Sequence, residues 1–387
     1  MQDLEEREER EESAPRRPPQ KKWNRGRILT ILLLILAILL TTTLISNRDR
    51  LTLDHLRRAI HYRGLGTSIA EEFRFANLPS NTFALAHEGI AVASGGGLRV
   101  YDRAGTLVYT EIFEMTTPII ETAGEFILAF DLDGTSIQTG TRREGLIHLT
   151  ADGRLIDASV NENGWIVASI ERVGTVGLAY VYDPSGTPVL RVSSTGHLIR
   201  AGLAANNRSL VLLTMTPTGG RALWYTVGVG GDPQHEFIHE DEIFFDFWFT
   251  SPGGSIGLIS NNMVLFLTED GQVQSEYHFP DRYLRAYDIS GGNVALYLSA
   301  SLTGSAGELI ILEPGGREQR IEISRNLFDI SLNGRYLATL CHDELTVYRG
   351  TAQYARWRET EGMHQVLMRA DGTVLRLSPH RARLLVP

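Results

Sequence analysis

Two aspartates two residues apart, Asp131 and Asp133, lie in the segment FDLDGT. Such a pair can transfer a phosphoryl group, with one carboxylate as the nucleophile and the other moving a proton. The phosphatases whose motif this segment resembles also have a lysine beyond the motif and a sheet alternating with helices, and residues 28–387 contain no lysine and no such alternation. A calcium loop of the EF-hand type fails as well, because Gly134 comes too early and the twelfth position is Arg142. We therefore interpret the two aspartates as residues of a hairpin turn.

Lysine and cysteine usage excludes further classes of chemistry. Both lysines precede residue 28, so the remaining chain cannot supply a Schiff-base lysine, a P-loop lysine or a Ser/Lys catalytic pair. The single cysteine, Cys341, cannot form an intramolecular disulfide or a cysteine-rich zinc site. The sequence therefore carries more information about architecture and location than about a reaction.

Three other segments resemble functional sites but have simpler explanations. Ser255 in GGSIG fits the pattern of a hydrolase nucleophile, which needs a strand-to-helix elbow, yet a strand-like segment follows it. His235 and His239 in HEFIHEDE would share a helix face, but the segment leads into a predicted strand, so we interpret it as an acidic loop. The aromatic segment IFFDFWF, residues 243–249, is either a stacking platform or core, and core is favoured. We assign no catalytic, cofactor-binding or metal-binding residue.

An uncharged run of 19 residues, 28–46, reads ILTILLLILAILLTTTLIS. As a helix it would span roughly 29 Å, close to the hydrocarbon thickness of a bilayer. A cleaved signal peptide is the alternative, but no small-residue cleavage site follows the run. We predict a retained transmembrane helix at 28–46 that contacts the lipid bilayer.

The segments beside the run set its predicted orientation. Residues 1–27 are rich in both charges and in proline, so we predict a disordered cytoplasmic tail. Six basic residues lie within residues 13–27, against four within 47–61. This bias predicts a single-pass protein of the cell membrane with its N-terminus inside and its main body outside. Residues 47–70 read as a juxtamembrane linker with a short amphipathic helix.

The charge of the body argues against one class of partner. Residues 28–387 carry 29 basic and 39 acidic side chains, a net charge of −10. Nucleic acid is bound by basic patches, so we expect no nucleic-acid partner.

A repeat of about forty residues organises residues 71–387. Each unit has a turn containing Gly or Asn followed by a strongly apolar strand, as in AGE-FILAF and ENG-WIVAS. The turns fall at intervals of 35 to 47 residues and are marked by Gly89, Gly124, Gly164, Asn207, Gly254, Gly292, Gly334 and Gly372. Short alternating strands with such a period predict an all-β propeller. A β-sandwich or a solenoid is the alternative for strands at this spacing.

A second set of turns lies between the first marks. Turns of the type VYDRAG contain Gly105, Gly186, Gly231, Gly271, Gly316 and Gly350, and in the second unit Gly140 is the best match. Two hairpins per unit imply four strands, hence about eight four-stranded blades. The last unit is short, so we predict that EEFRFAN, residues 71–77, supplies its missing outer strand. Without that pairing there would be seven blades.

The apolar run, the stretch LTLDHLRRAIHYRGLG and the VYDRAG-type turns together resemble an uncharacterised family. Its members are single-pass, membrane-anchored propeller proteins of Gram-positive anaerobic bacteria, with a repeat pattern similar to WD40-like and quinoprotein-like propellers. The resemblance covers residues 25–387 and implies no known active site. The chain lacks the Trp-Asp dipeptides of true WD40 repeats and the tryptophan-rich turns of quinone-binding propellers, so no cofactor is expected.

Two functions remain open for a body outside the membrane, and a third interpretation places the body in the cytoplasm as a scaffold. The first is a binding or scaffold module, outside the membrane, for a protein or cell-envelope partner. The alternative is an extracytoplasmic lyase or glycosidase that uses loop carboxylates at the propeller channel, for which acids must converge there. Fold alone does not decide between them.

Overall fold

A computed structural model describes Leu34 and residues 71–75, 80–87, 89–303, 306–358, 360 and 362–387. Residues 71–387 form eight four-stranded antiparallel sheets arranged as the blades of a propeller. The predicted fold class is thereby confirmed, with eight blades rather than seven. The predicted tail (1–27) and linker (47–70) lie outside the described residues, as does the predicted span (28–46) apart from Leu34. Among the residues described, none belongs to a helix with the length and apolar character needed to cross a membrane.

The first four blades follow one another along the chain, each with its strands in sequence order. Their strands are, in blade 1, β2 (Thr82–Ala86), β3 (Gly89–Ser94), β4 (Gly97–Tyr101) and β5 (Leu107–Glu111); in blade 2, β6 (Pro118–Ala123), β7 (Phe126–Asp131), β8 (Ser136–Thr141) and β9 (Gly145–Thr150); in blade 3, β10 (Arg154–Val160), β11 (Ile166–Glu171), β12 (Leu178–Tyr182) and β13 (Pro188–Ser193); in blade 4, β14 (His197–Leu203), β15 (Ser209–Thr216), β16 (Gly219–Thr226) and β17 (His235–Glu240).

Blades 5 to 7 continue the pattern, and blade 8 combines both ends of the propeller sequence. Their strands are, in blade 5, β18 (Asp246–Phe249), β19 (Ile256–Ile259), β20 (Met263–Leu267) and β21 (Val273–His278); in blade 6, β22 (Tyr283–Ser290), β23 (Asn293–Ser299), β24 (Gly307–Leu312) and β25 (Glu318–Ile323); in blade 7, β26 (Leu327–Asn333), β27 (Tyr336–Cys341), β28 (Leu345–Arg349) and β29 (Ala352–Trp357); in blade 8, β30 (Gln365–Met368), β31 (Val374–Ser378), β32 (Arg381–Leu385) and β1 (Glu71–Arg74).

We call the four strands of a blade A to D, in their order in the sheet from the channel outwards. Their burial differs with this position. The A strands of neighbouring blades contact one another, as β10 and β14 do, so their free edges line the central channel. The B strands are almost wholly buried because both faces of each blade pack on neighbouring blades. The D strands alternate exposed and partly buried residues, as in HEFIHE of β17, because only one of their faces is covered.

The two sets of turn marks are the tight turns between strands. Seven of the eight marks at A–B turns have positive φ, from 57° at Gly124 to 117° at Gly254. The exception is Gly89, the first residue of β3, where His87 adopts that conformation instead. All six glycines of the second set have positive φ at C–D turns. The match at Gly140 was wrong: Gly140 lies within β8, and the turn follows at 142–144.

Ring closure joins the two ends of the propeller sequence. Strand β1 pairs with β32 in antiparallel register, with Arg74 opposite Arg381. The Phe75 N–H then donates to the His380 carbonyl (3.0 Å). The prediction that residues 71–77 provide the outer strand of the last blade is confirmed for 71–74.

Chain direction gives the propeller two distinct faces. We call the face with the A–B and C–D turns the A–B face, and the face with the B–C turns and the connections from D to the next A strand the D–A face. Because β1 is a D strand, it begins on the A–B face, and β32, a C strand, ends there. The chain thus enters and leaves the propeller on the A–B face.

Candidate functional site in the central channel

Arg200 of β14 gathers three carboxylates from other blades at the centre of the propeller. Its Nη2 lies 2.5 Å from Oε1 of Glu121 in blade 2, and its Nη1 lies 3.2 Å from Oδ1 of Asp246 in blade 5. Its Nε lies 3.8 Å from Oδ2 of Asp157 in blade 3. The Tyr287 hydroxyl of blade 6 donates to Oδ2 of Asp246 (2.9 Å). We call these five residues the Arg200 network; it links blades 2 to 6.

Backbone irregularities accompany two of these side chains. The register between β10 and β11 shifts between Leu155 and Asp157, and that between β14 and β15 shifts between Leu198 and Arg200. A bulge inserts one residue and re-aims the side chains that follow it. Each of these two bulges therefore adjoins the charged residue of its strand, Asp157 in β10 and Arg200 in β14. The neighbouring apolar residues of the strand pack between blades.

Burial and charge change the pKa values within the network. Burial alone disfavours the charged guanidinium, but Glu121, Asp157 and Asp246 raise the pKa of Arg200 above its ordinary value. Burial raises the pKa of Asp157 to about 7, although Arg200 acts in the opposite direction. Its Oδ2 is buried and has no hydrogen-bond partner. Burial, and then Asp246, raise the pKa of Tyr287. Because its pKa is raised to about 7, Asp157 binds a proton near neutral pH.

Two further A-strand carboxylates are held by backbone amides rather than by a cation. Oδ2 of Asp288 accepts from the Leu332 N–H of the next blade (2.6 Å). Oδ2 of Asp329 accepts from the Val366 N–H, again in the next blade (2.8 Å). Burial raises the pKa of Asp288 to about 6 and that of Asp329 to about 7. These contacts satisfy N–H groups on free strand edges and join blades 6, 7 and 8.

Cavities lie on both faces of the propeller. A cavity of about 440 Å³ opens on the A–B face, with Arg200 and Glu121 of the network in its lining. Phe247, Phe249 and Glu162 also line it. A cavity of about 400 Å³ on the D–A face is lined by residues that include Phe83, Phe328, Asp329 and His364. Both cavities combine aromatic rings with ionisable groups, as ligand sites do.

The segment FDLDGT forms the turn that the sequence predicted. Oδ1 of Asp131 accepts from the Thr116 and Thr117 N–H groups, both at 2.7 Å. Asp133 has a positive φ of 65° and pairs with Arg154 at the surface (2.8 Å). The two aspartates therefore stabilise loops on the D–A face, away from the Arg200 network.

The structure also shows where the other three segments of the sequence analysis lie. Ser255 lies at the A–B turn of blade 5, immediately before β19, so the interpretation as a turn is confirmed. The interpretation of HEFIHEDE as a loop was wrong, because residues 235–240 form the outer strand β17. In the part of the chain that the structure describes, no group of three or more His, Cys, Asp or Glu could hold a metal ion. Within IFFDFWF, Phe244, Phe247 and Trp248 are buried as the core interpretation requires, whereas Ile243 at the start of the segment is exposed.

Sequence reasoning missed the Arg200 network. The available signal was a charged residue in the middle of an apolar A strand, as in RLIDASV and HLIRAGL. Such a residue is costly to bury alone, so it implies a partner of opposite charge nearby. The sequence gives no means of pairing Arg200 with Glu121, 79 residues away, because the propeller geometry brings them together.

The fold is an eight-bladed β-propeller, and an ionic network joins A strands of several blades at its centre. Residues 66–349 match the model of a family of unknown function, DUF5711, and the chain belongs to that family. No curated protein is significantly similar to this sequence.

Solved structures of other propellers are similar to this chain. Sqt1 from Saccharomyces cerevisiae has a TM-score of 0.61 at 9% identity, covering 81% of this chain and 98% of its own. Sqt1 from Chaetomium thermophilum has a TM-score of 0.57 at 10% identity, covering 84% and 100%. BamB from Moraxella catarrhalis has a TM-score of 0.54 at 12% identity, covering 82% and 99%. At these identities the likeness shows the fold alone, and this fold is consistent with a binding or scaffold role.

Proposed function

We propose that this protein is a membrane-anchored, extracytoplasmic binding module whose D–A face binds a protein partner of the cell envelope. The observation that carries this proposal is an unequal distribution of exposed apolar side chains between the two faces. Exposed apolar side chains that are concentrated on one face of a domain are available for association with another protein.

Seven large apolar side chains in the described residues are exposed on the D–A face: Ile112, Val173, Val176, Ile243, Tyr283, Leu302 and Phe328. Val173 is fully exposed, at 102%, and Ile112 is 84% exposed. Five of the seven lie in loops: Ile112, Val173, Val176, Ile243 and Leu302. In the described residues on the A–B side, Val229 is the one such loop residue, and the other exposed apolar residues are in the first two positions of outer D strands: Leu107, Val108, Leu146, Val189 and Val273. The seven residues belong to loops or strand ends of several blades, so they present a broad surface and not one patch. Such a surface suits a protein partner better than a small molecule.

The path of the chain supports the same face. Strand β1 begins and strand β32 ends on the A–B face. Neither chain end of the propeller therefore emerges on the D–A face.

The channel contains acids, as the enzymatic alternative requires, but their arrangement does not suit catalysis. Glu121, Asp157 and Asp246 converge from strands rather than loops, and all three face the same guanidinium. A retaining glycosidase needs two carboxylates about 5 to 5.5 Å apart with room for the sugar between them. In the channel that room is taken by the Arg200 side chain. We therefore favour binding over catalysis.

Anchoring and location rest on the sequence alone. The uncharged run at 28–46 and the six basic residues before it support one span with the propeller outside. The resemblance to membrane-anchored proteins of Gram-positive anaerobes supports an envelope partner. Protease treatment of intact cells tests the location: we expect the propeller to be degraded while a tag on the N-terminus survives. A propeller cut only after cell lysis would contradict the proposed location.

Charge substitutions test the assignment of the face. We expect Val173→Asp and Leu302→Asp, each in the full chain, to remove a partner that crosslinks to the wild-type protein in membranes, because a buried charge in an interface is costly. Val229→Asp, on the A–B face, is the matched control and should leave the crosslink intact. Loss with all three variants, or with none, would contradict binding through the D–A face.

A further inference from the structure

The cavity on the A–B face carries more negative than positive charge. Of the network, Glu121 and Arg200 line the cavity, and Asp157 and Asp246 face the same guanidinium from outside the lining. Glu162 adds a carboxylate at the rim, on the A–B turn of blade 3. Among the described residues, no basic side chain lies within ion-pair distance of Glu162. The mouth of the channel is therefore acidic. The Arg200 guanidinium in its lining is already paired with carboxylates of the network.

A buried acceptor inside the network shows the same excess. Oδ2 of Asp157 has no hydrogen-bond partner, and its distance to Nε of Arg200 (3.8 Å) is too long for a hydrogen bond. Buried carboxylates are normally paired or protonated. One guanidinium therefore does not satisfy the acids that surround it.

Aromatic rings form the wall beside these charges. Phe247 and Phe249 of β18 line the cavity with their rings in edge-to-face contact, 5.6 Å between centroids. A Cβ on Gly202 would come within 3.1 Å of the Phe247 ring, so the glycine allows these rings to lie against blade 4. A ring face attracts an organic cation, and the attraction increases when water is excluded.

We propose that the A–B mouth of the channel binds an organic cation, a guanidinium or alkylammonium group, between the Glu121 and Glu162 carboxylates and the Phe249 ring. Anions are disfavoured because Arg200 is already neutralised by more negative charge than it carries. A cavity of about 440 Å³ accommodates one such group with its alkyl chain. The group can come from a basic side chain of a peptide or from a free small amine. The site lies on the face opposite the proposed protein surface and does not depend on it.

Titration calorimetry on the full chain in detergent, with agmatine as the probe, tests the site. We expect saturable binding of agmatine, none of the uncharged analogue 1-butanol, and weaker binding as NaCl is raised because salt screens exposed charges. Equal binding of 1-butanol, or no saturation by about 10 mM agmatine, where a dissociation constant corresponds to only about 3 kcal/mol, would overturn the proposal.

Two variants and a matched control locate the binding. Glu162→Gln should weaken agmatine binding roughly two- to fivefold, as for an exposed ion pair. Glu121→Gln should weaken it about tenfold or more, because its charge is less exposed. Glu162 is outside the Arg200 network, so its variant remains informative if Glu121→Gln fails to fold. The control Glu125→Gln removes the same charge from a neighbouring turn that does not line the cavity and should bind as wild type. Equal effects of Glu125→Gln and Glu162→Gln would show a general field effect and overturn the site.

A peptide arm separates the two sources of the cation. Acetyl-Gly-Arg-Gly-amide and agmatine are compared on the wild-type protein. Tighter binding of the peptide, by tenfold or more, assigns the site to a basic side chain of a partner. Equal or weaker binding of the peptide assigns it to a free amine, since the flanking backbone then contributes nothing.

Discussion

The two arcs of the ring are joined at the channel by different chemistry. In blades 2 to 6, carboxylates from separate A strands meet at the Arg200 guanidinium. In blades 6 to 8, Asp288 and Asp329 each accept a backbone N–H from the next blade. The same residue type therefore serves in one arc as the counter-ion of a cation and in the other as a cap for a free strand edge.

The difference teaches how a buried carboxylate is tolerated. A guanidinium offsets charge, whereas one or two backbone dipoles offset less of it. Burial raises the pKa of Asp329 to about 7 although its carboxylate accepts a hydrogen bond from the Val366 N–H. The pKa of Asp157 is also raised by burial, because its distance to Arg200 is the longest of the three and the guanidinium offsets less of its charge. The first arc should therefore fail when a charge is removed, and the second when pH or packing changes.

Removal of the central cation is expected to have the largest effect. Arg200→Met leaves three carboxylates together without a counter-ion, and we expect a loss of about 3–5 kcal/mol in the free energy of unfolding. Urea unfolding of the full chain in detergent at pH 8 measures the loss. At pH 5 the loss should be smaller, because the remaining acids bind protons. A loss that does not change with pH would show that Arg200 acts through packing instead.

Loss of the closing contact should come next. Phe75 is 9% exposed and packs on Phe83, with 5.2 Å between ring centroids. We expect Phe75→Ala to cost about 3 kcal/mol in the same measurement, since it opens a cavity where blade 8 meets blade 1. Leu107→Ala, in the exposed outer strand of blade 1, is the control and should cost far less. Similar losses for both variants would argue against a special role of the closing contact.

The backbone-bonded arc should respond to pH. The pKa of Asp329 in the folded protein is about 7, above its ordinary value of 3.8. Between these values the folded state binds the proton more tightly, so the contribution of this group to stability is complete below about pH 4 and falls as pH rises to 7. Wild type should lose roughly 1–3 kcal/mol from this group between pH 5 and 8. Asp329→Asn keeps an acceptor for the Val366 N–H and should remove that part of the slope; an unchanged slope would contradict the assignment.

An exposed arginine gives the smallest expected effect. Arg154 pairs with Asp133 and Glu171, but its side chain is 54% exposed. We expect Arg154→Met to change the free energy of unfolding by less than about 1 kcal/mol, because water screens the pair. The contrast with Arg200→Met isolates burial as the cause. Comparable losses for the two variants would remove the distinction between central and peripheral ion pairs.

Blade architecture was largely predictable from local sequence. Apolar B strands such as FILAF and tight turns at Gly124 or Gly164 recur at a spacing that one blade requires. The errors arose where local signals were weak: Gly140 is a strand glycine, and HEFIHE is an exposed D strand whose charges suggested a loop. The alternation of outer strands is visible only once one covered face is known.

The sequence by itself determined the four-stranded type of blade and a number of seven or eight, because turn conformation and strand burial depend on neighbouring residues. The pairing of β1 with β32 in the structure decided for eight. It also indicated that residues 71–77 complete the last blade. Only the tertiary structure decided which carboxylates face Arg200, which face a backbone amide, and which loops form each face. Those partners come from separate blades, as Glu121 and Arg200 do, and their approach depends on ring geometry and not on local preference.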